Sequence, residues 1–349
     1  MRRILSLGVV AALATALAAA ARTAAPALPP VQLLVSGSSG SKVWLVDLPA
    51  GDVHGIEAGA SPWGIAVSGR TAYVSTARGV AVVDIRLRRR VASLPYRAPI
   101  ENVSYGEYRG GGMGIAVTPD GTRVAVGVYR DGRPSTLEIL DTRRRRFTAA
   151  VPIGDRPFDV LVSRDGREAY TIDHDSYSVT VVDLGSRARR TIPVRPLGTG
   201  AFDKPHYAAL APDGRLLLPV QGQVLALVDP ANGEIETRKL TADTHQHGVA
   251  FTAGGRLVVV GTGPAGGTSR PPSLTIYNLA RGAERVIPLG RPHEQVAVTR
   301  NGSWAFLTGG YLLGGGFDGI TAVHLATGRR HRIAVPDLPL GVAVVAEGR

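Results

Sequence analysis

The stretch Pro157-Phe-Asp-Val-Leu-Val-Ser-Arg-Asp-Gly-Arg-Glu-Ala-Tyr-Thr-Ile-Asp173, closing with Ser178-Val-Thr-Val-Val-Asp-Leu184, decides how the rest of the chain is read. It contains a Pro-led apolar strand, a turn dipeptide at Asp165-Gly166, a second strand of alternating small and apolar residues, and a third strand ending in aspartate. Asx-Gly pairs tolerate positive φ and mark tight antiparallel hairpins, so the expectation here is a meander joined by two-residue turns.

The same unit recurs along the chain. Its leading strand appears as Pro62-Trp-Gly-Ile-Ala-Val, Gly112-Met-Gly-Ile-Ala-Val, Pro157-Phe-Asp-Val-Leu-Val, Pro205-His-Tyr-Ala-Ala-Leu, Gln246-His-Gly-Val-Ala-Phe, His293-Glu-Gln-Val-Ala-Val and Pro339-Leu-Gly-Val-Ala-Val. Measured at the third residue of each copy (Gly64, Gly114, Asp159, Tyr207, Gly248, Gln295, Gly341), the spacing runs from 41 to 50 residues, room for four short strands and their turns. Asp120-Gly121, Asp213-Gly214, Gly254-Gly255 and Asn301-Gly302 repeat the turn, and Asp84, Asp141, Asp183, Asp229 and Asn278 repeat the end of the third strand. Seven such units predict an all-β, seven-bladed β-propeller with four-stranded antiparallel blades over residues 31–349. The final copy has one strand and no partners, while Leu33-Leu34-Val35, Val43 to Asp47 and Val53 to Glu57 lack a leading strand. Together they complete one shared blade, which removes the open sheet edges that invite aggregation.

The Pro157–Leu184 unit resembles the repeat of the YVTN-type propeller family, and weaker copies cover nearly the whole of residues 31–349. The namesake tetrad survives only as Tyr73-Val-Ser-Thr and Tyr170-Thr-Ile-Asp. The resemblance implies a fold and no fixed reaction.

Ahead of the repeats, Arg2 and Arg3 precede an Ala-rich apolar run from Ile4 to about Ala21, with small-residue cleavage sites at Ala19-Ala20-Ala21 and Thr23-Ala24-Ala25. We read residues 1–25 as a secretory signal peptide and 26–30 as a Pro-rich leader. An uncleaved anchor and the general or twin-arginine route both stay open. Export to the cell envelope or medium is the expected localisation. The chain has no cysteine, so there is no disulfide, lipidation or thiolate metal site, and stability must come from the core. Forty Lys and Arg against 28 Asp and Glu give +12, and loss of Arg2 and Arg3 leaves +10. In that compartment a basic surface suits anionic cell-wall polymers or lipid headgroups, with no nucleic acid partner. The arginine runs 86–90, 143–146, 187–190 and 329–332 fall between strands three and four, on one face of the disk, as a docking surface or a solvated face. A monomer is expected.

On the other face, around the channel mouth, the residue before each repeat marker should form a ring of Leu340, Trp63, Met113, Phe158, His206, His247 and Glu294. Four members are apolar and three are coordinating. His206, His247 and Glu294 could hold a divalent metal such as Zn or Mg, while His293, His245, Asp243 and the Asp173-His174-Asp175 turn share that face. Glycine tracts 110–112, 261–267 and 314–316 read as mobile rims. The functional expectation is a non-catalytic module binding a protein or small molecule at this mouth, with no cofactor required. The alternative is a metal-dependent lyase or lactonase, since a metal there would polarise a carbonyl and a spare histidine would act as base. Propeller lyases that open streptogramins or cleave hydroxyglycine peptides look similar in placing His and acidic groups at this mouth, though none of their residues maps here by motif.

Overall fold

A computed structural model describes residues 26–347, apart from 199, 202, 221–222, 243–245, 262–270 and 311–314. Residues 1–25, read above as a signal peptide, Asp243, His245 and most of the 261–267 glycine tract therefore lie outside the described residues.

Seven four-stranded antiparallel sheets make up the secondary structure of the described residues. Blade 1 joins β1 (Val31–Gly37), β2 (Lys42–Asp47) and β3 (Asp52–Glu57) to β28 (Pro339–Glu347), which lies innermost in the order β28-β1-β2-β3. Blade 2 is β4 (Ile65–Ser68), β5 (Thr71–Ser75), β6 (Gly79–Asp84) and β7 (Arg89–Pro95). Blade 3 is β8 (Gly111–Val117), β9 (Arg123–Arg130), β10 (Arg133–Asp141) and β11 (Arg146–Pro152). Blade 4 is β12 (Pro157–Val162), β13 (Glu168–Asp173), β14 (Ser178–Asp183) and β15 (Arg189–Pro193). Blade 5 is β16 (Ala209–Leu210), β17 (Leu216–Val220), β18 (Val224–Val228) and β19 (Ile235–Lys239). Blade 6 is β20 (Gln246–Phe251), β21 (Arg256–Gly261), β22 (Ser273–Asn278) and β23 (Ala283–Pro288), and blade 7 is β24 (Val296–Val298), β25 (Trp304–Thr308), β26 (Ile320–His324) and β27 (Arg330–Ile333).

The expected shared blade is present. Leu33 pairs with Val344, Leu34 with Ala343 and Val35 with Val342, tying the two ends of the chain together. Apolar packing lies between blades rather than in one central core. Tyr170, Ile172, Val179 and Val181 of blade 4 meet Leu216, Leu218, Ala226 and Val228 of blade 5. Leu33, Val35 and Val46 of blade 1 meet Trp304, Phe306 and Ile320 of blade 7. Each of the seven gaps between neighbouring blades has its own cluster, so the ring closes by packing as well as by pairing.

The turn dipeptides work differently from a two-residue hairpin. In Ser163-Arg164-Asp165-Gly166, Gly166 N donates to Ser163 O (2.9 Å) and only the glycine has positive φ (72°), while Ser163 N donates to Glu168 O across a four-residue loop. Asp165 accepts from Ser163 Oγ (2.6 Å) and Arg167 N (3.1 Å), and Asp120 and Asn301 serve their turns in the same way. The motif is a type I turn with glycine at its fourth position, its Asx side chain satisfying the loop amides. The aspartate ending each third strand does similar work. Asp84, Asp141, Asp183 and Asp229 accept from the amides of Leu87, Arg144, Ser186 and Ala231, starting the turn into the outer strand.

Candidate functional site

Hydroxyls that end the second strand of one blade fix the mouth residue of the next. Ser36 Oγ donates to Trp63 O (2.6 Å), Ser75 Oγ to Met113 O (2.5 Å) and Thr308 Oγ1 to Leu340 O (2.7 Å). At the adjacent marker positions the inner strands approach so closely that glycine is required: a Cβ on Gly114 would lie 2.5 Å from Asp159 Cα, and one on Gly248 2.6 Å from Gln295 Cα. This pinching brings Leu340, Trp63, Met113 and Phe158, from four blades, into one buried cluster with Tyr207. Phe158 meets Trp63 edge to face, with ring centroids 5.4 Å apart.

The polar arc continues from it. Phe158 touches His206 (5.0 Å between centroids) and His174 (4.8 Å). His206 lies 4.3 Å from His174 and stacks on His247 at 4.3 Å. His247 Nδ1 shares a 2.7 Å hydrogen bond with Glu294 Oε2, and the Tyr207 hydroxyl donates to Glu294 Oε1 (2.7 Å). Burial holds His247 down to about 3 and His174 down to about 4, so both rings are neutral at pH 7. Loss of hydration pushes the Glu294 carboxyl up to about 8. His174 Nδ1 pairs with Asp175, which also accepts from Lys204 Nζ and Arg156 Nε, each at 2.7 Å.

The mouth is covered, and the cover carries a site residue that the repeat did not reveal. The segment from Tyr96 to Gly110, between β7 and β8, crosses the ring. It is anchored by Tyr96 Oη donating to Thr76 O (3.1 Å), Arg97 N to Glu138 Oε2 (2.7 Å), Arg78 to Glu101 O (3.0 Å) and Arg156 to Tyr108 O (2.8 Å). Beneath it Arg109 reaches over Trp63 (5.5 Å) and donates to the carbonyls of Gly110 and Gly112. Glu107, 1% exposed, points inward: its carboxylate and one ring nitrogen each of His206 and His247 lie within 4.8 Å of one another. Neither Glu107 oxygen accepts a hydrogen bond among the described residues. Burial, and then the neighbouring Glu294, push its carboxyl well up. The donors that converge are thus Glu107, His206 and His247, with Glu294 one layer behind His247. The 110–112 glycines are not a loose rim at all. A Cβ on Gly111 (φ +96°) would sit 2.1 Å from Ala77 O, and one on Gly112 1.8 Å from Tyr96 Oη.

Other residues on this face serve the scaffold. Asp173 turns into its own hairpin, accepting from Thr171, Ser178 and Thr180, and burial raises it to about 7. His293 commits both nitrogens, Nδ1 with Arg291 O (2.9 Å) and Nε2 with Thr321 Oγ1 (2.8 Å), and burial lowers it to about 4. Below the mouth the channel narrows to a cavity of about 130 Å³ lined by Asp159, Tyr207, Gly248, Val249, Gln295 and Val296. The arginine runs are exposed on the opposite face, and several of their members join blades: Arg90 donates to Ala58 O, Arg190 to Pro230 O, and Arg330 to Pro288 and Leu289 O.

No protein-family profile and no curated protein matches this chain. Among solved structures, it is similar to hydrazine synthase of Kuenenia stuttgartiensis, with a TM-score of 0.61 and 20% identity over 75% of this chain and 76% of that one. It is also similar to a functionally unknown protein from Desulfotomaculum acetoxidans, with a TM-score of 0.68 and 11% identity over 91% of this chain and 100% of that one. At such identities the likeness shows the propeller fold alone.

Proposed function

We propose that the chain is an exported binding module of the cell envelope or its surroundings, taking its ligand on the mouth face. One observation carries this. Two clefts flank the tip of the β9–β10 hairpin, of about 360 Å³ (lined by Pro99, Ile100, Asn102, Arg130 and Arg133, among others) and about 500 Å³ (with Tyr129, Pro134, Asp155 and Asp175). Both are of ligand size and mix apolar walls with a few directed polar groups. Next to them the covering segment exposes Tyr105 and Tyr108, and Arg156 stacks on Tyr108 and Tyr129. The leader over residues 1–25 is the support for export.

The alternative, a metal-dependent lyase or lactonase, draws on the convergence of Glu107, His206 and His247. Their near-complete burial means that a substrate would first have to displace residues 96–110, which favours the binding role. On the opposite face Arg123, Arg143, Arg144 and Arg187 line a cleft of about 360 Å³, the place where an anionic envelope polymer or lipid headgroup would lie.

Saturation-transfer NMR with a small-molecule extract of the envelope fraction tests the mouth assignment. The expected signal disappears in an Arg133→Glu, Tyr108→Ala variant and persists in Arg143→Glu, Arg187→Glu. No transfer, or loss only in the second pair, would overturn it.

A further inference from the structure

We propose that Glu107, His206 and His247 form a divalent-metal site, with zinc the favoured ion, sealed under residues 96–110 at the mouth of the channel. The site is independent of whether a larger ligand docks above it.

The argument starts from an electrostatic deficit. Glu107 and Glu294, 1% and 0% exposed, are two carboxyl groups near one imidazole: His247 Nδ1 lies 2.7 Å from Glu294 and 3.7 Å from Glu107 Oε1. The cation nearest in effect to Glu107 is Arg156, whose guanidinium is already engaged by Asp175 and by the Tyr108 carbonyl. An ionised carboxyl buried in this way is costly to a fold, and Glu107 accepts no hydrogen bond among the described residues. A divalent ion between Glu107 and the two imidazoles removes that cost.

Donor chemistry narrows the ion. Two imidazole nitrogens and one carboxylate oxygen, with no cysteine in the chain, suit zinc better than magnesium or calcium, which favour oxygen donors. The layer behind the donors has the matching form. With Nδ1 of His247 facing Glu294, a metal would be taken by Nε2, and Tyr207 fixes the Glu294 carboxylate in turn. Such carboxylate–histidine pairs orient metal-binding imidazoles. His174, 2% exposed with its Nδ1 on Asp175, has no hydrogen bond at Nε2 among the described residues, and its ring is 4.3 Å from that of His206. It is the natural fourth donor, water being the alternative. Three of these groups sit on the rigid propeller, whereas Glu107 comes from the crossing segment. The ion would therefore also pin that segment down.

The test uses the mature full-length chain, stripped with chelator and dialysed against zinc chloride, with metal measured by mass spectrometry and affinity by competition with a chromophoric chelator. One zinc per chain is expected, at least ~100-fold weaker in Glu107→Gln and in His206→Asn. Glu294→Gln should keep the stoichiometry while weakening affinity by ~10–100-fold, as loss of an orienting partner does. Cobalt(II) in place of zinc should give ligand-field bands in the wild type that are lost in His206→Asn. Circular dichroism confirms that each variant folds, and the near-isosteric Glu107→Gln stands if His206→Asn does not. Less than a tenth of an equivalent of zinc in the wild type, or affinity unchanged in both Glu107→Gln and His206→Asn, overturns the site.

Discussion

The apolar and polar arcs of the mouth share one ring and one degree of burial, but they are held by different physics. Leu340, Trp63, Met113 and Phe158 fill space against one another, and Ser36, Ser75 and Thr308 hold the backbone of three of them. His174, His206, His247, Glu107 and Glu294 also fill space, yet each brings a polar group whose hydration has been removed. On the first arc burial is stabilising in itself. On the second it is stabilising only where a partner has been supplied, and at Glu107 the described residues supply no hydrogen bond. The difference separates scaffold from site.

Five variants would break or sharpen this contrast. Truncating Phe158 to Ala should produce the largest effect, a loss of about 3–5 kcal/mol in denaturant unfolding, because the ring is fully buried against Trp63, His174, His206 and Tyr207. A loss below 1 kcal/mol would mean that the arc is not close-packed.

Next comes Asp159, a half-buried carboxyl lining the channel cavity, which accepts the amides of Val160 and Ala208 and which loss of hydration raises from 3.8 to about 7. A raised carboxyl contributes fully below its unfolded value. Its contribution drains as pH climbs to about 7, because the unfolded chain ionises first. Relative to wild type, Asp159→Asn should therefore gain about 2–4 kcal/mol between pH 4 and pH 8, at about 1.4 kcal/mol per unit. Parallel urea midpoints for the two proteins would refute this. His293 runs the other way. Held down to about 4, it withdraws stability as pH falls from 6.5 towards 4, which the same titration should show in wild type and not in His293→Gln.

Gly111→Ala should cost about 1–3 kcal/mol from its φ of +96° alone, and contact with Ala77 O adds to that. Faster proteolysis within residues 96–110 would report it. The smallest effect belongs to the opposite face: Arg143→Glu with Arg187→Glu should alter stability by no more than about 0.5 kcal/mol, since both side chains are exposed. It should still abolish retention on anionic vesicles if that face docks there.

The blades were legible because each repeats a physical requirement: an apolar inner strand, a glycine where the chain must reverse, an aspartate where the third strand ends. The same rhythm gives Trp63, Met113, Phe158, His206, His247 and Glu294 equivalent positions in successive repeats. Glu107 escaped because it belongs to no repeat. The only trace of its segment was the interval from Gly64 to Gly114, the longest of the series at 50 residues. Asp173 and His293 show the converse limit. Periodicity assigns a residue to a face, but local hydroxyls and carbonyls decide whether its polar atoms are already taken. Tyr207 was visible only as a marker in the repeat, and its bond to Glu294 needs two blades in register.

The most direct measurement is an anomalous difference map, recorded at the zinc edge, from crystals of residues 26–349 grown with zinc. A single peak among Glu107, His206 and His247, on the ring where the blades converge, is the predicted result. An empty ring, or zinc held elsewhere, such as by His324 and His331 beside Trp304, would contradict the account.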